Sequence, residues 1–162
     1  MENKIKLLIV DDEVSFLNSI AKRLEMRDFQ VTKATNGIKA MEAARSKKFD
    51  LALVDLKMPG MSGQKLLEFL KSDHKFLEVI ILTGHGSLES AAKCTKLGAY
   101  SYLPKPYEFD RLIELLKEAY QFRLQKKFEN DLKRMEKIQQ IATGDSALGI
   151  MRRLRQLDDD EK

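Results

Sequence analysis

LLIVDDE, residues 7–13, sets an aliphatic run directly against three acids. A buried strand ordinarily finishes in a turn residue, but this one finishes in Asp11, Asp12 and Glu13, where a helical pattern begins. Like charges crowded at one strand end repel each other, so their placement asks for a chemical reason. Two more apolar runs, DLALVDL (50–56) and LEVIILT (77–83), read like the run IKLLIV (5–10). None of the three alternates cleanly, the pattern of strands covered on both faces of a parallel sheet. FQVTKA (29–34) and AYSYL (99–103) are weaker strand candidates.

Amphipathic stretches lie between these runs. Residues 13–27 carry Val14, Leu17, Ile20, Ala21 and Leu24 at helical spacing, and 37–47 follows suit. Residues 62–73 open on Ser62, and 87–97 open on Ser87 and close on Gly98, the residue types that cap helices. Strand then helix, five times over, implies right-handed crossovers and an α/β architecture: a doubly wound five-stranded parallel sheet, (βα)5, between two helical layers.

The bulk properties agree with one domain and an appendage. The chain has 162 residues, 43% hydrophobic and 33% charged, enough to bury a core and too apolar for disorder. No run approaches the length of a membrane span and the start, MENKIK, is no signal peptide, so a cytoplasmic protein is expected. The lone Cys94 excludes an intramolecular disulfide and is assigned to packing. Two distant histidines leave no Cys/His zinc site, and His74 is expected at the surface where a helix ends. The net charge of +4 arises in residues 1–107, with 17 Lys+Arg against 13 Asp+Glu, but no contiguous basic block marks a phosphate-backbone footprint.

In an open α/β sheet the ligand crevice lies beyond the carboxyl ends of the strands. Asp11, Asp12, Asp55 and Thr83 all fall at such ends, and Lys105 follows the fifth strand in the same way. Any one of these could merely close a turn; their convergence from four strands is not a turn habit. Carboxylates held this close need a cation or a proton between them, and hard oxygen ligands suit Mg²⁺. An acidic, Mg²⁺-binding pocket with a lysine and a hydroxyl is fitted to a phosphoryl group. No serine, cysteine or histidine stands beside a general base, which leaves a carboxylate as the best nucleophile.

These residues carry a resemblance. The DDE after the first strand, LALVDLKMPGMSG around Asp55, ILTGHGS with Thr83, and LGAYSYLPKPY with Lys105 resemble the receiver domain of two-component response regulators, a flavodoxin-like fold, over about residues 4–122. The resemblance implies that Asp55 accepts a phosphoryl group from the phosphohistidine of a sensor histidine kinase or a histidine phosphotransfer protein. It implies that Asp11, Asp12, Asp55 and the backbone carbonyl of Lys57 hold Mg²⁺. It makes Thr83 and Tyr102 the hydroxyl and aromatic switch positions, Lys105 the phosphate contact, and Lys105–Pro106 a cis peptide bond. Lys57 and His85, two residues after the acceptor and the switch threonine, would flank the phosphoryl group and govern its lifetime. Gly84 would leave room for its entry. Pro59, Gly60 and Gly63 are given structural duty, a tight turn ahead of the helix capped by Ser62.

From Glu108 onward one helical pattern runs without Pro or Gly to Gly144. Leu112, Leu115, Leu116 and Ala119 fit packing on the sheet. Past Phe122 an apolar stripe continues through Leu124, Phe128, Leu132, Met135, Ile138 and Ala142, interrupted by Lys126 and Lys127, and residues beyond Phe122 are expected to lie clear of the sheet. The expected division is therefore a receiver over 1–122 and a helical extension over 123–162 that pairs two chains into a homodimer or docks on another protein. Thr143–Gly144–Asp145–Ser146 are expected to break the helix ahead of a short one, ALGIMRRLRQL. Direct DNA binding is not expected: no helix-turn-helix pattern follows, and Arg152, Arg153 and Arg155 adjoin an acidic run. Nor is there a GK[ST] phosphate loop. The style of residues 105–119 also resembles receivers that feed transcriptional ATPases, so a fragment of a longer regulator is an open alternative. A Mg²⁺-dependent aspartyl-phosphate hydrolase would want an acid where Lys57 stands. A flavin module would want a phosphate-cradling loop where Asp11 and Asp12 stand.

Overall fold

The computed structural model describes residues 3–84, 86–142 and 147–160. Five strands, β1 (Ile5–Val10), β2 (Phe29–Ala34), β3 (Leu51–Val54), β4 (Glu78–Thr83) and β5 (Ser101–Pro104), alternate with α1 (Val14–Glu25), α2 (Gly37–Ser46), α3 (Gly63–Asp73), α4 (Leu88–Lys96) and α5 (Phe109–Ala142), and α6 (Ala147–Asp160) follows. All strand pairs are parallel, in the order β2-β1-β3-β4-β5. The chain leaves β1 toward one edge and returns on its other side as β3, so a topological switch point lies between β1 and β3. The flavodoxin-like doubly wound sheet is thus present, with boundaries within two or three residues of those expected.

The lack of alternation in the apolar runs has the anticipated cause. Leu8, Val10, Ala52, Val54, Val79 and Ile81 face Ala40, Ala44, Leu66, Leu67, Leu70 and Cys94 on the α2/α3/α4 side. Leu7, Ile9, Leu51, Leu53, Ile80 and Leu82 face Leu17, Ile20, Leu24, Leu112, Leu116 and Ala119 on the α1/α5 side. The edge strands β2 and β5, each with one neighbour, are left partly open along their length. The helix signals also hold. Ser62 accepts the Lys65 N–H, Ser87 and Ser90 form a reciprocal capping box, and Gly98 turns the chain out of α4 at φ +100°.

The long helix departs from expectation in one respect. With 34 residues α5 is about 50 Å long, yet its contacts with the sheet run on past Phe122. The rings of Tyr100 and Phe122 lie 5.4 Å apart. Arg123 donates through Nε to Asp50 Oδ1 at 3.1 Å and through a terminal nitrogen to the Phe76 carbonyl at 2.9 Å. Lys126 reaches Glu78 at 3.3 Å, and Lys71 approaches the same oxygen at 3.8 Å. These charges, of which Lys126 was read in the sequence as a break in an apolar stripe, fasten the helix to the side of the sheet opposite Asp11. Beyond them Leu124, Phe128, Leu132 and Met135 are exposed. The distal end is partly covered by α6, which packs on α5 with Arg134 paired to Asp158 and Ile141 buried. Residues 143–146, the expected helix break, lie outside the described residues.

Candidate functional site

The sheet sets the two central acids side by side. The Asp55 N–H donates to the Val10 carbonyl at 3.0 Å and the Asp11 N–H to the Ala34 carbonyl at 3.2 Å, so each aspartate emerges from a backbone already fixed by its neighbour strand. Behind Asp55, the Gly63 N–H donates to the Leu56 carbonyl at 2.8 Å. A Cβ on Gly63 would lie 2.1 Å from the Asp55 carbonyl oxygen, a closeness no side chain allows. The glycine given structural duty is therefore what lets α3 press against the acceptor loop. Gly84, as expected, leaves room: a Cβ there would meet nothing closer than Lys105 Cβ at 3.8 Å.

Asp11, Asp12 and Asp55 bring one carboxylate oxygen each to within 4.8 Å of one another. Asp11 and Asp55 are buried while Asp12 is exposed. Both Asp11 oxygens are engaged. Oδ1 accepts the Glu13 N–H at 2.9 Å and Oδ2 accepts from Lys105 Nζ at 2.8 Å. The Lys105 ammonium also stands 3.8 Å over the ring of Phe16, a residue the sequence did not single out, since its contact is made 89 positions along the chain. The Lys105 N–H donates to the Thr83 carbonyl at 2.9 Å, which locks the lysine loop to the end of β4, and the following peptide bond to Pro106 is cis.

Asp55 is different. Its Oδ1 is buried with no hydrogen-bond partner among the described residues, and Thr83, at the end of the neighbouring strand β4, is fully buried. Burial raises its pKa; Thr83 acts against this, Asp11 adds to it, Lys105 opposes it and Asp12 adds again. A buried carboxylate oxygen without a donor costs on the order of 1–3 kcal/mol or more, a penalty that a cation shared with Asp11 and Asp12 would remove. The oxygen-only donor set fits a hard divalent ion.

The remaining expected residues fall nearby. Lys57 projects into solvent two residues past Asp55. Tyr102 on β5 is half-buried, its hydroxyl 3.4 Å from Ser90 Oγ. His85 lies outside the described residues. His74 is at the far end of the molecule and half-buried rather than fully at the surface, its Nε2 enclosed without a partner among the described residues.

The response regulator receiver domain model matches residues 7–117. An NtrX-like response regulator of Rickettsia felis is 35% identical over 133 residues, covering 81% of this chain and 28% of that protein. The DNA-binding transcriptional regulator NtrC of Escherichia coli K12 is 38% identical over 111 residues, 68% of this chain and 24% of that one. The chain thus spans about a quarter of the length of these curated relatives. Among solved structures, a CheY-like receiver domain protein from Methanospirillum hungatei superposes with a TM-score of 0.74 at 31% identity, covering 76% of this chain and 98% of that chain.

Proposed function

This chain belongs to the response regulator receiver domain family, and from that premise we propose that Asp55 is its phosphoacceptor. The observation that carries the assignment is the orphaned Oδ1 of Asp55, the one buried acidic oxygen of the cluster left without a donor among the described residues. In the transfer a carboxylate oxygen of Asp55 attacks the phosphorus of a phosphohistidine. The O–P bond forms as the P–N bond breaks, and the imidazole departs. Asp55 need not be oriented during the reaction, because its backbone is pinned between β1 and α3. Asp11, Asp12 and Asp55, with the Lys57 carbonyl, are assigned to Mg²⁺, which when bound offsets the charge of the carboxylates and of the incoming phosphoryl oxygens. Lys105 supplies a second positive charge from its seat on Asp11.

Thr83 is assigned as the switch hydroxyl. Its hydroxyl, whose influence lowers the Asp55 pKa, would donate to a phosphoryl oxygen, biasing a pre-existing pair of conformations that Tyr102 follows. Lys57, Gly84 and His85 are assigned to flank the phosphoryl position, Lys57 and His85 to govern its lifetime and Gly84 to leave room for its entry. The partners are a sensor histidine kinase or histidine phosphotransfer protein. A phosphohistidine is made from ATP, which supports a cytoplasmic setting; no helix among the described residues is long and apolar enough to cross a membrane. A switch is favoured over a hydrolase because Lys57, not an acid, stands two residues after Asp55. The functional division is drawn between a receiver over 1–122 and the helical extension over 123–162, whose exposed Leu124, Phe128, Leu132 and Met135 support homodimerisation as output. The alternative of a receiver within a longer transcriptional regulator is supported by the span of the relatives.

Intact-mass measurement after addition of a small phosphodonor with Mg²⁺ tests the acceptor. One phosphoryl group should add to the parent and none to Asp55→Asn, and omission of the metal should abolish the gain. An equal gain in both proteins would refute the assignment.

A further inference from the structure

Gly84 and Gly86 stand on either side of residue 85 and face different surroundings. A Cβ on Gly84 has open space, whereas one on Gly86 would lie 1.6 Å from the Tyr102 hydroxyl oxygen, 2.6 Å from Cζ and 3.0 Å from Cε1. The outer half of the tyrosine ring occupies the volume that a side chain at position 86 would fill. The backbone does not demand glycine there, since among the described residues the positive-φ glycines are Gly60 and Gly98. The demand at Gly86 comes from the ring.

The other walls of that volume are firm. Tyr102 packs against the cluster containing Ile81 and Cys94, and its hydroxyl lies 3.4 Å from Ser90 Oγ. Ser90 is itself committed to the first turn of α4: its Oγ accepts the Ser87 N–H at 2.9 Å, and its own N–H donates to Ser87 Oγ at 3.1 Å. A ring confined by a capped helix on one side and the core on another can be evicted most easily from the side of residue 86. Gly86 is also only three residues along the chain from Thr83.

We propose that Gly86 is a positioning residue for the aromatic switch: by lacking a side chain it admits the ring of Tyr102, and the residue at position 86 sets the balance between inward and outward Tyr102. This rests on the reading of Tyr102 as the side chain that follows Asp55. A methyl group at position 86 competes for the same space as the ring, and the ring, being the far end of a side chain, is what yields.

The test uses the full chain labelled with 3-fluorotyrosine, whose four tyrosines give a tractable ¹⁹F NMR spectrum, with the Tyr102 signal identified by its loss in Tyr102→Phe. In Gly86→Ala, without phosphodonor, the Tyr102 signal should move to the position and solvent isotope response of an exposed tyrosine, an inward-to-outward shift of at least about tenfold. A Tyr102 signal unchanged from the parent overturns the proposal. Leucine at position 102 lacks the atoms that collide, so Gly86→Ala should change stability in the Tyr102 background and add nothing over Tyr102→Leu. Should Gly86→Ala alone fail to fold, its rescue by Tyr102→Leu supports the proposal and failure in both backgrounds overturns it. Failure of the parent to take phosphate at Asp55 would defeat the phosphoacceptor reading while leaving this ring displacement to be judged separately.

Discussion

Replacing Arg123 with alanine removes the fastening of α5 to the sheet edge, at a site remote from the acidic crevice. The side chains of Arg123 and Asp50 are 14% and 22% exposed, so the pair is sheltered without being dry. Arg123→Ala deletes a charge-assisted hydrogen bond to Asp50 and a second bond to the Phe76 carbonyl. Both are donated by the charged guanidinium, and a hydrogen bond that involves a charged group contributes about 1.5–3 kcal/mol. Water can reach the freed groups in part, and Asp50 Oδ2 keeps the Lys6 N–H at 2.9 Å, so the net loss should be about 2 kcal/mol. For a chain of this size that corresponds to a fall in Tm of about 4–8 °C. Lys127→Ala, an exposed lysine four residues further along the helix, should stay within about 0.5 kcal/mol of the parent. A double-mutant cycle with Asp50→Ala, followed by urea unfolding, should return a coupling of about 1 kcal/mol or more. Phosphodonor uptake should be unaffected. A Tm for Arg123→Ala equal to that of Lys127→Ala, or a coupling indistinguishable from zero, would show that these contacts do not anchor the helix.

Thr83→Ala should still gain one phosphoryl group by mass yet fail to change the Tyr102 environment, and a parent-like Tyr102 response would contradict its switch role. Charging the exposed stripe with Phe128→Lys and Leu132→Lys should convert a dimer to a monomer in light scattering at micromolar concentration, with the parent's affinity or shape altered by phosphorylation. A parent that is monomeric with and without phosphate would assign the stripe to another protein. Burial pushes the Cys94 thiol pKa up, so less thiolate forms at a given pH. Alkylation of the native protein at pH 8 should therefore run about 100-fold or more below that of the urea-unfolded chain, and comparable rates would place the thiol at the surface.

Much of this is legible in the sequence alone. The apolar runs lack alternation because both faces of each central strand are buried, and Ser62, Ser87 and Gly98 punctuate helices through their own side chains or freedom at φ. Such signals are local, and the chain states them outright. The clustering of Asp11, Asp12, Asp55, Thr83 and Lys105 was also accessible, since strand order alone decides which strand ends share an edge. Nothing local announced Phe16 beneath Lys105, Gly63 against the Asp55 carbonyl or Gly86 against Tyr102. Each owes its role to an atom of a residue that is not its sequence neighbour, brought near by packing. The same holds for charge. Lys4, Lys6, Lys47, Lys48, Lys75 and Lys127 look scattered along the sequence, yet they line adjoining depressions at the sheet edge opposite Asp55. Lys126 looked like an interruption of a stripe, and with Arg123 it proved to anchor the helix. Periodicity and capping chemistry belong to neighbouring residues and can be read in order; the identity of a long-range partner is settled only when the sheet closes, because it depends on which surfaces the core brings within a few ångströms.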